Sequence, residues 1–312
     1  MRSFLAFTSH TVDVMTKATE RAASRNTPEP LANEVHFIDT KSGACRISLF
    51  RRLRRADYGT VYISLLQHVD SALIPAALGS KVVCHAHGND LFTTRRADPV
   101  TRWARTRGMR SVARFIAVSD WTGEPLVQQG VETARVQVIP NGVNAAAFAA
   151  SPVRDVADVG EAASVLLTVA RLVPRKGHAL VIEALRRLPD VAYLIMGEGS
   201  ERACLERLAR DTGVADRVRF VVAGYVPDTE LPAYCHACDA VSMASQHLAE
   251  AGSVEGFGLA FLEANAVGKA VIGTRTGGIG RAVKHEHNAL LCQPNARDWS
   301  RVVHRIDEVL AA

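Results

Sequence analysis

Short runs of β-branched and apolar residues alternate with amphipathic stretches along the whole 312-residue chain. Strands separated each time by a helix-length segment predict an α/β fold with parallel sheets. The expected strands of the first half are residues 3–8, 33–39, 59–64, 81–86, 114–119 and 135–140. Those of the second half are residues 164–172, 191–196, 217–222, 240–245, 270–274 and 289–293. We therefore expect two doubly wound, Rossmann-like sheets, each with its own core.

The alternation stops between residues 144 and 163, where Ala, Ser, Asp and Val predominate. A stretch without periodicity between two regular halves is typical of a linker. The sequence therefore predicts an N-terminal domain at residues 1–148, a linker at 149–163 and a C-terminal domain at 164–312. In open α/β sheets, ligands bind beyond the carboxyl ends of the strands, so we expect a cleft between the two domains to hold the site.

Positive charge is concentrated in the first half of the chain. Residues 1–150 carry 19 Lys and Arg against 12 Asp and Glu, whereas residues 151–312 carry 18 against 20. The densest part is FRRLRR, residues 50–55, with apolar residues at helical spacing. This pattern fits a helix lying on an anionic membrane surface, and it fits a solvated helix face equally well. The 6% aromatic content and the lack of a recognition motif disfavour nucleic acid as a partner.

The sequence favours a cytoplasmic protein. A peripheral contact with the inner face of the plasma membrane is a further hypothesis. No apolar run reaches the roughly 18–20 residues of a spanning helix, and the first residues are more typical of a strand than of a signal peptide. We expect the six cysteines to be thiols. Cys235 and Cys238 have CxxC spacing, but no second ligand pair lies at motif spacing, so we predict buried structural cysteines.

Polar, glycine-rich loops follow four strands of the second half, at residues 171–177, 197–199, 255–258 and 275–278. Glycines that open helices leave backbone N–H groups free for an anion, and the cations Arg171 and Lys176 are suited to phosphates. No Asp-x-Asp pair is present in the chain to hold Mg²⁺ against a diphosphate. These loops predict a nucleoside diphosphate site that uses no metal and no cofactor.

Glu255 and Glu263 enclose seven residues that are all apolar or glycine. With Arg171, Lys176 and the Gly197-x-Gly199 pair, they resemble the donor-binding domain of the retaining GT-B glycosyltransferases, family 4-like ("glycosyl transferases group 1"), whose signature is Glu-x7-Glu. The likeness covers roughly residues 110–295, including SDWTGEPLVQQGV, IPNGVN and AGYVPDTEL. It implies a GT-B fold and a sugar transfer from a nucleotide-diphosphate donor.

The resemblance also assigns roles to residues. Glu263 would bind the ribose hydroxyls, Glu255 would face the donor sugar, and Arg171 and Lys176 would neutralise the departing diphosphate. His87, in HAHGND, would lie near the sugar and the leaving phosphate. Further donor contacts are implied for Gly256, Phe257, Gly258, Leu259, Gly197, Gly199 and Val226, and a supporting role for Asp90. Ser119 and Asn141 are expected to support the floor of the cleft as structural cap and turn residues.

The resemblance is incomplete in three places. Relatives carry a glycine-rich loop after the first strand, where this chain reads TSHTVDVMTK. The final glycine turn continues with Gly280-Arg281 rather than Pro-Glu, and a long C-terminal helical tail is replaced by one helix.

The sequence thus predicts a retaining, metal-independent glycosyltransferase. Its donor would be a UDP- or GDP-sugar, and its acceptor a saccharide or lipid-linked glycan of cell-surface polysaccharide or glycolipid synthesis. Two alternatives stay open: a non-catalytic relative that only binds nucleotide sugar, and another GT-B enzyme such as a sugar-nucleotide epimerase.

Overall fold

The computed structural model describes residues 13–17, 34–38, 50–51, 53–55, 58–92, 98–150, 162, 164–221, 230–248, 253–294, 298–299, 301 and 305. The chain forms two compact units. The first comprises Met1–Ala86, Arg96–Ile116 and Val131–Val136, and the second comprises His87–Arg95, Ala117–Gly130 and Gln137–Ala312. The predicted linker lies mostly outside the described residues, so the predicted domain boundaries stay predictions.

Six described strands belong to the first half of the chain: β1 Asp13–Lys17, β2 Glu34–Ile38, β3 Thr60–Ile63, β4 Lys81–Ala86, β5 Arg114–Ala117 and β6 Val136–Val138. β1 and β2 form a parallel two-stranded sheet, and β3 to β6 lie side by side in chain order. Five of the six expected strands are confirmed, and the sixth, residues 3–8, lies outside the described residues.

The segment TSHTVDVMTK corrects the sequence analysis, which treated it as the counterpart of a loop. Its second half is strand β1, in register with β2 from Asp13 opposite Glu34 to Lys17 opposite Ile38. The physical reason is local composition, because Val14 and Thr16 are β-branched residues that favour extended backbone.

The helices of this part of the chain are α1 Leu73–Ala77, α2 Pro99–Ser111, α3 Asp120–Gln128 and α4 Ala145–Ala149, with a 3₁₀ helix at Leu66–Ala72. Asp98 caps α2 by accepting hydrogen bonds from two backbone N–H groups of the first turn, and a proline follows at its first position. Ser119 caps α3 in a capping box with Thr122, as the sequence analysis expected of Ser119.

The second half forms one parallel sheet from β7 Ser164–Val169, β8 Val191–Met196, β9 Val218–Val221, β10 Ala240–Met243, β11 Ala270–Thr274 and β12 Leu290–Cys292. All six strands were predicted. Their spatial order is β12-β11-β10-β7-β8-β9, the doubly wound arrangement. The chain direction across the sheet reverses between β7 and β10, which makes that pair the switch point where ligands bind in such folds.

Helices α5 His178–Ala184, α6 Arg202–Asp211, α7 Leu231–Ala237, α8 Leu259–Ala266 and α9 Ile279–Ala282 accompany this sheet. Leu166 belongs to a core cluster with Ile182 of α5, whereas its neighbour Leu167 belongs to another with Phe261 of α8. Successive side chains of a strand point to opposite faces, so both faces of the sheet are covered by helices. This explains why most residues of its strands are apolar on both faces.

The CxxC pair is structural, as predicted. Cys235 lies in α7 and Cys238 directly after it, and both are buried free thiols. Burial raises the pKa of each thiol to about 12, so neither is poised to react near neutral pH.

The basic segment at residues 50–55 is helical at every described position. Leu53 is buried, whereas Arg51, Arg54 and Arg55 are exposed and Phe50 is 40% exposed. Among the helices that the structure describes, none has the length and apolar character needed to cross a membrane.

Candidate functional site

The loops after β7 and β10 are fixed to each other at the switch point. A 3₁₀ helix, Pro174–Lys176, follows β7 and ends at Gly177, whose φ is 67°. A Cβ at Gly177 would lie 1.9 Å from the carbonyl oxygen of Ala244, just after β10. The N–H of Gln246 donates to the carbonyl oxygen of Arg175 at 2.7 Å. Only glycine allows this approach, so the chain brings its cationic loop directly against the β10 exit.

Glu255 is the centre of a buried ion cluster at this point. Its Oε2 atom lies 2.5 Å from Lys176 Nζ and 3.0 Å from Arg175 Nη1. The three side chains are only 13%, 11% and 10% exposed, respectively. The structure thus joins two predicted site residues, Glu255 and Lys176, and adds Arg175, which the sequence analysis did not assign. The position of Arg175 beside Lys176 in the same turn was the sequence feature that could have identified it as a site residue.

The cluster has one more positive than negative charge. Burial raises the pKa of the Glu255 carboxyl, but the attraction of Lys176 and Arg175 outweighs it and holds this pKa below its usual range. Burial also lowers the pKa of Lys176, an effect that Glu255 opposes and the neighbouring Arg175 and Arg171 reinforce. Such a site is electrostatically suited to an additional anion.

The backbone that follows Glu255 is enclosed by two other glycine segments. A Cβ at Gly256 would lie 1.9 Å from the carbonyl oxygen of His87. On the other side, a Cβ at Gly278 would lie 1.8 Å from the carbonyl oxygen of Gly256, and the Gly278 N–H donates to the Glu255 carbonyl at 2.9 Å. The Glu255 loop is therefore fixed between the His87 loop and the glycine turn after β11.

Two side chains far away in sequence hold the same loop, and neither contact was predicted. Ser119 Oγ donates to the carbonyl oxygen of Gly256 at 2.9 Å, and Asn89 Oδ1 accepts from the N–H of Val254 at 3.1 Å. They come from 137 and 165 positions earlier in the chain, a separation that residue patterns do not reveal. Ser119 is thus both a helix cap and a support of the site.

A hydrogen bond within the HGND segment closes the His87 loop. His87 is exposed directly after β4, and its N–H donates to Oδ1 of the buried Asp90 at 2.9 Å. This hydrogen bond links Asp90 to His87, and the supporting role of Asp90 at the site stays a prediction. The contact between His87 and a donor stays a prediction.

Helix α8 begins within the predicted donor-binding segment. Gly258, with φ of 95°, precedes its first residue and offers no side-chain cap. Within the described part of the chain, the N–H groups of Gly256, Phe257, Gly258 and Leu259 donate to no protein acceptor. They coincide with the positive end of the helix, which favours a negatively charged ligand. Glu263 lies in the second turn of α8 and is half-buried.

The remaining predicted site residues lie on the flanks or outside the described residues. Arg171 is exposed after β7. A Cβ at Gly197 would lie 1.9 Å from the Ala170 carbonyl oxygen, and a Cβ at Gly199 would lie 2.2 Å from the Leu172 carbonyl oxygen. Because glycine has no Cβ, the loop after β8 can pack directly against the loop after β7. Asn141 is partly buried after β6, and Val226 lies outside the described residues.

A buried polar chain supports the cationic loop, and the sequence analysis missed it. His178 Nε2 lies 3.2 Å from the carbonyl oxygen of Arg171, and its Nδ1 lies 3.0 Å from the Tyr193 hydroxyl. Tyr193 donates to Thr168 Oγ1 at 2.9 Å, and Thr168 donates to the carbonyl oxygen of Ser242. Burial lowers the pKa of His178 to about 4. This series of hydrogen bonds connects β8, β7 and β10 beneath the site.

Comparison with known proteins places the chain in a family. The model of the glycosyl transferases group 1 matches residues 154–312, and that of glycosyltransferase family 4 matches residues 4–147. The chain belongs to the glycosyl transferases group 1 family, and its fold is the α/β fold of the GT-B glycosyltransferases.

Two of the relatives found are bacterial glycosyltransferases. The GDP-mannose-dependent alpha-(1-6)-phosphatidylinositol monomannoside mannosyltransferase of Mycobacterium tuberculosis is 32% identical over 248 residues, which are 74% of this chain and 60% of that protein. The lipopolysaccharide core biosynthesis glycosyltransferase LpsE of Rhizobium meliloti is 36% identical over 145 residues, 46% of this chain and 39% of LpsE. The chain thus spans about 60% or less of these curated relatives.

Among solved structures, HepE of Anabaena, crystallised with UDP and glucose, superposes with a TM-score of 0.78 at 19% identity. The match covers 96% of this chain and 82% of HepE. At this identity, the likeness shows the fold alone.

Proposed function

We propose that the chain is a retaining, metal-independent glycosyltransferase that takes a sugar from a nucleotide-diphosphate donor. The main support for this proposal is the buried ion cluster at the switch point, in which Lys176 and Arg175 both contact Oε2 of Glu255. Oε1 of Glu255 makes no contact among the described residues and is available to donor hydroxyls. The surplus positive charge and the free N–H groups at the start of α8 suit the diphosphate.

The proposed chemistry needs binding and charge stabilisation rather than an acid–base pair. As the glycosidic bond breaks, charge accumulates on the departing diphosphate, where Lys176, Arg171 and the N–H groups of 256–259 would stabilise it. The leaving phosphate would take the acceptor's proton on the same face of the sugar, so the anomeric configuration is retained. Glu255 would orient the sugar, Glu263 would bind the ribose, and His87 would lie near the reacting carbon.

The relatives suggest which substrates to examine first. The mycobacterial relative is GDP-mannose-dependent and acts on a phosphatidylinositol mannoside, and LpsE serves lipopolysaccharide synthesis. We propose a GDP- or UDP-sugar donor and a lipid-linked or saccharide acceptor, handled at the cytoplasmic face of the membrane.

An exposed face of α2 supports a membrane contact. Val100 is 73% exposed and Trp103 is 65% exposed, and three arginines, Arg102, Arg107 and Arg110, are exposed on the same helix. Tryptophan and arginine together suit the interface of an anionic bilayer. Sedimentation with vesicles of phosphatidylglycerol and phosphatidylcholine should remove the protein from solution, and Trp103→Ser should reduce this binding several-fold. Equal binding to purely zwitterionic vesicles would contradict the proposed contact.

The proposed reaction is tested by incubating the protein with labelled GDP-mannose, UDP-glucose and UDP-galactose, with phosphatidylinositol mannoside or lipopolysaccharide core as acceptor. Transfer should persist in EDTA, and the product should keep the donor's α configuration by NMR. Lys176→Met should abolish transfer, whereas Arg207→Met, on the exposed face of α6, should leave it unchanged. Conversion of donor alone to an epimer would favour the epimerase alternative. Tight donor binding without transfer or hydrolysis would favour a binding protein.

A further inference from the structure

Arg175 holds Glu255 in the proposed site but is assigned no contact with the donor, although it is buried and its backbone is fixed. The residue is 9% exposed, and its backbone is fixed by the hydrogen bond from Gln246. Its Nη1 contacts Glu255 Oε2 at 3.0 Å, while its buried Nε has no partner in the described part of the chain. Burying a guanidinium is costly unless it is paired, so its placement is tied to Glu255.

Arg175 and Lys176 share one carboxylate oxygen, but they hold it differently. Lys176 Nζ has Met243 Sδ as its other contact, at 3.2 Å, and a thioether is a weak acceptor. A lysine ammonium is a mobile point charge on a flexible stem, whereas a guanidinium is a planar fork that loses less freedom when it is held. Lys176 is therefore the cation that can leave Glu255 at the lower cost.

We propose that Arg175 is a positioning residue that keeps Oε2 of Glu255 in place when Lys176 moves to the diphosphate of the donor. This inference rests on the proposed function. With Arg175 present, Glu255 remains an oriented anion whose Oε1 meets the donor sugar. Without Arg175, the departure of Lys176 leaves a buried carboxylate unpaired, which then takes up a proton or turns away.

Among the described residues, two charged groups act directly on Glu255. Lys176 and Arg175 contact its carboxylate, both from the turn after β7, and Arg171 acts on Lys176 from the start of the same loop. Removing Arg175 therefore takes away half of the direct cationic contacts. We expect the acid limb of the pH–activity profile to report this loss.

The test is steady-state kinetics against pH for the wild type, Arg175→Met, Arg175→Lys and the control Arg207→Met. Arg175→Met should lower kcat about ten- to a hundredfold with the donor KM within about threefold, and should move the acid limb to higher pH. Arg175→Lys should restore the acid limb, and Arg207→Met should match the wild type. A purely structural role would lower activity at every pH and leave the limb unmoved, which overturns the proposal.

A second readout separates this inference from the proposed function. Glutamate labelled with ¹³C at Cδ is titrated by NMR, with Glu255→Gln identifying the resonance, in the free protein and with GDP or UDP. In Arg175→Met, Glu255 should titrate at higher pH than in the wild type, and further upward once nucleotide is bound. Arg175→Gln serves the same purpose if the methionine variant does not fold. Unchanged titration overturns the role of Arg175 even if transfer occurs, and an upward shift in the free variant supports it even if no donor turns over.

Discussion

The two carboxylates of the Glu-x7-Glu motif have very different surroundings. Glu255 lies in a loop before α8, is 13% exposed, and is paired with two buried cations. Glu263 lies one helical turn into α8 and is half-buried. Two glutamates eight positions apart thus differ in burial, since Glu255 is enclosed by cations and Glu263 is half-buried on a helix.

This difference indicates a division of labour. A carboxylate fixed by ion pairs has a defined direction, which suits the reacting sugar. Glu263, half-buried on a helix, is the acid that the proposed function assigns to the ribose. The difference in burial also predicts unequal losses of stability on mutation, because removing one partner of a buried ion cluster leaves charges unpaired away from water, whereas Glu263 is only half-buried.

The largest effect is expected for Glu255→Ala, which leaves two buried cations unpaired. Its free energy of unfolding should fall by about 3–5 kcal/mol, whereas Glu263→Ala should lose less than about 1 kcal/mol. Urea unfolding followed by circular dichroism measures both. Equal losses in the two variants would remove the basis of the comparison.

The next effect concerns the loop that carries Glu255. Gly256→Ala would force a Cβ to 1.9 Å from the backbone of His87, whereas an added Cβ at Gly280 meets nothing within 4 Å. We expect a loss of about 3 kcal/mol in the first variant and no loss, or a gain of about 0.5 kcal/mol, in the second. Thermal unfolding of the two variants side by side checks this. A tolerated alanine at 256 would mean that the His87 loop does not fix Glu255.

Above pH 5, the change of the free energy of unfolding with pH should depend more on His178 than on Glu255. His178 is buried with its pKa lowered to about 4, so the unfolded chain binds its proton first. Stability is complete above the unfolded pKa of about 6.5 and falls as the pH drops towards 4, by about 2 kcal/mol at pH 5. The stabilisation from Glu255, whose pKa is lowered, is lost only at lower pH. Urea midpoints from pH 8 to 5 should decline in the wild type and stay nearly level in His178→Phe.

Much of the fold could be read from the sequence because it follows from local pattern. Strands β4, β8 and β11 have the predicted bounds, since each is a short, mostly apolar run bounded by polar residues or glycine. Strand β1 was missed because it is short and polar at its ends. Its pairing with β2 depends on residues 21 positions away.

The sequence indicated several residues of the candidate site but not most of the contacts between them. Glu255 and Lys176 were assigned through the resemblance, and the structure brings them within 2.5 Å. The partnership of Arg175, rather than Arg171, with Glu255 depends on the 3₁₀ turn, which determines the side chain that points to β10. The supports from Ser119 and Asn89 depend on the tertiary fold, which has no counterpart in local sequence.

The most direct test of the central claim is a calorimetric titration with UDP, GDP and ADP, using the wild type, Glu263→Ala and the control Glu206→Ala on α6. The account predicts that one nucleotide binds the wild type and the control alike. Glu263→Ala should bind it at least about tenfold more weakly, a loss of roughly 1.5 kcal/mol from the missing hydrogen bonds to ribose. Binding of no nucleotide, or equal binding by Glu263→Ala, would contradict the assignment of this site to a nucleotide-sugar donor.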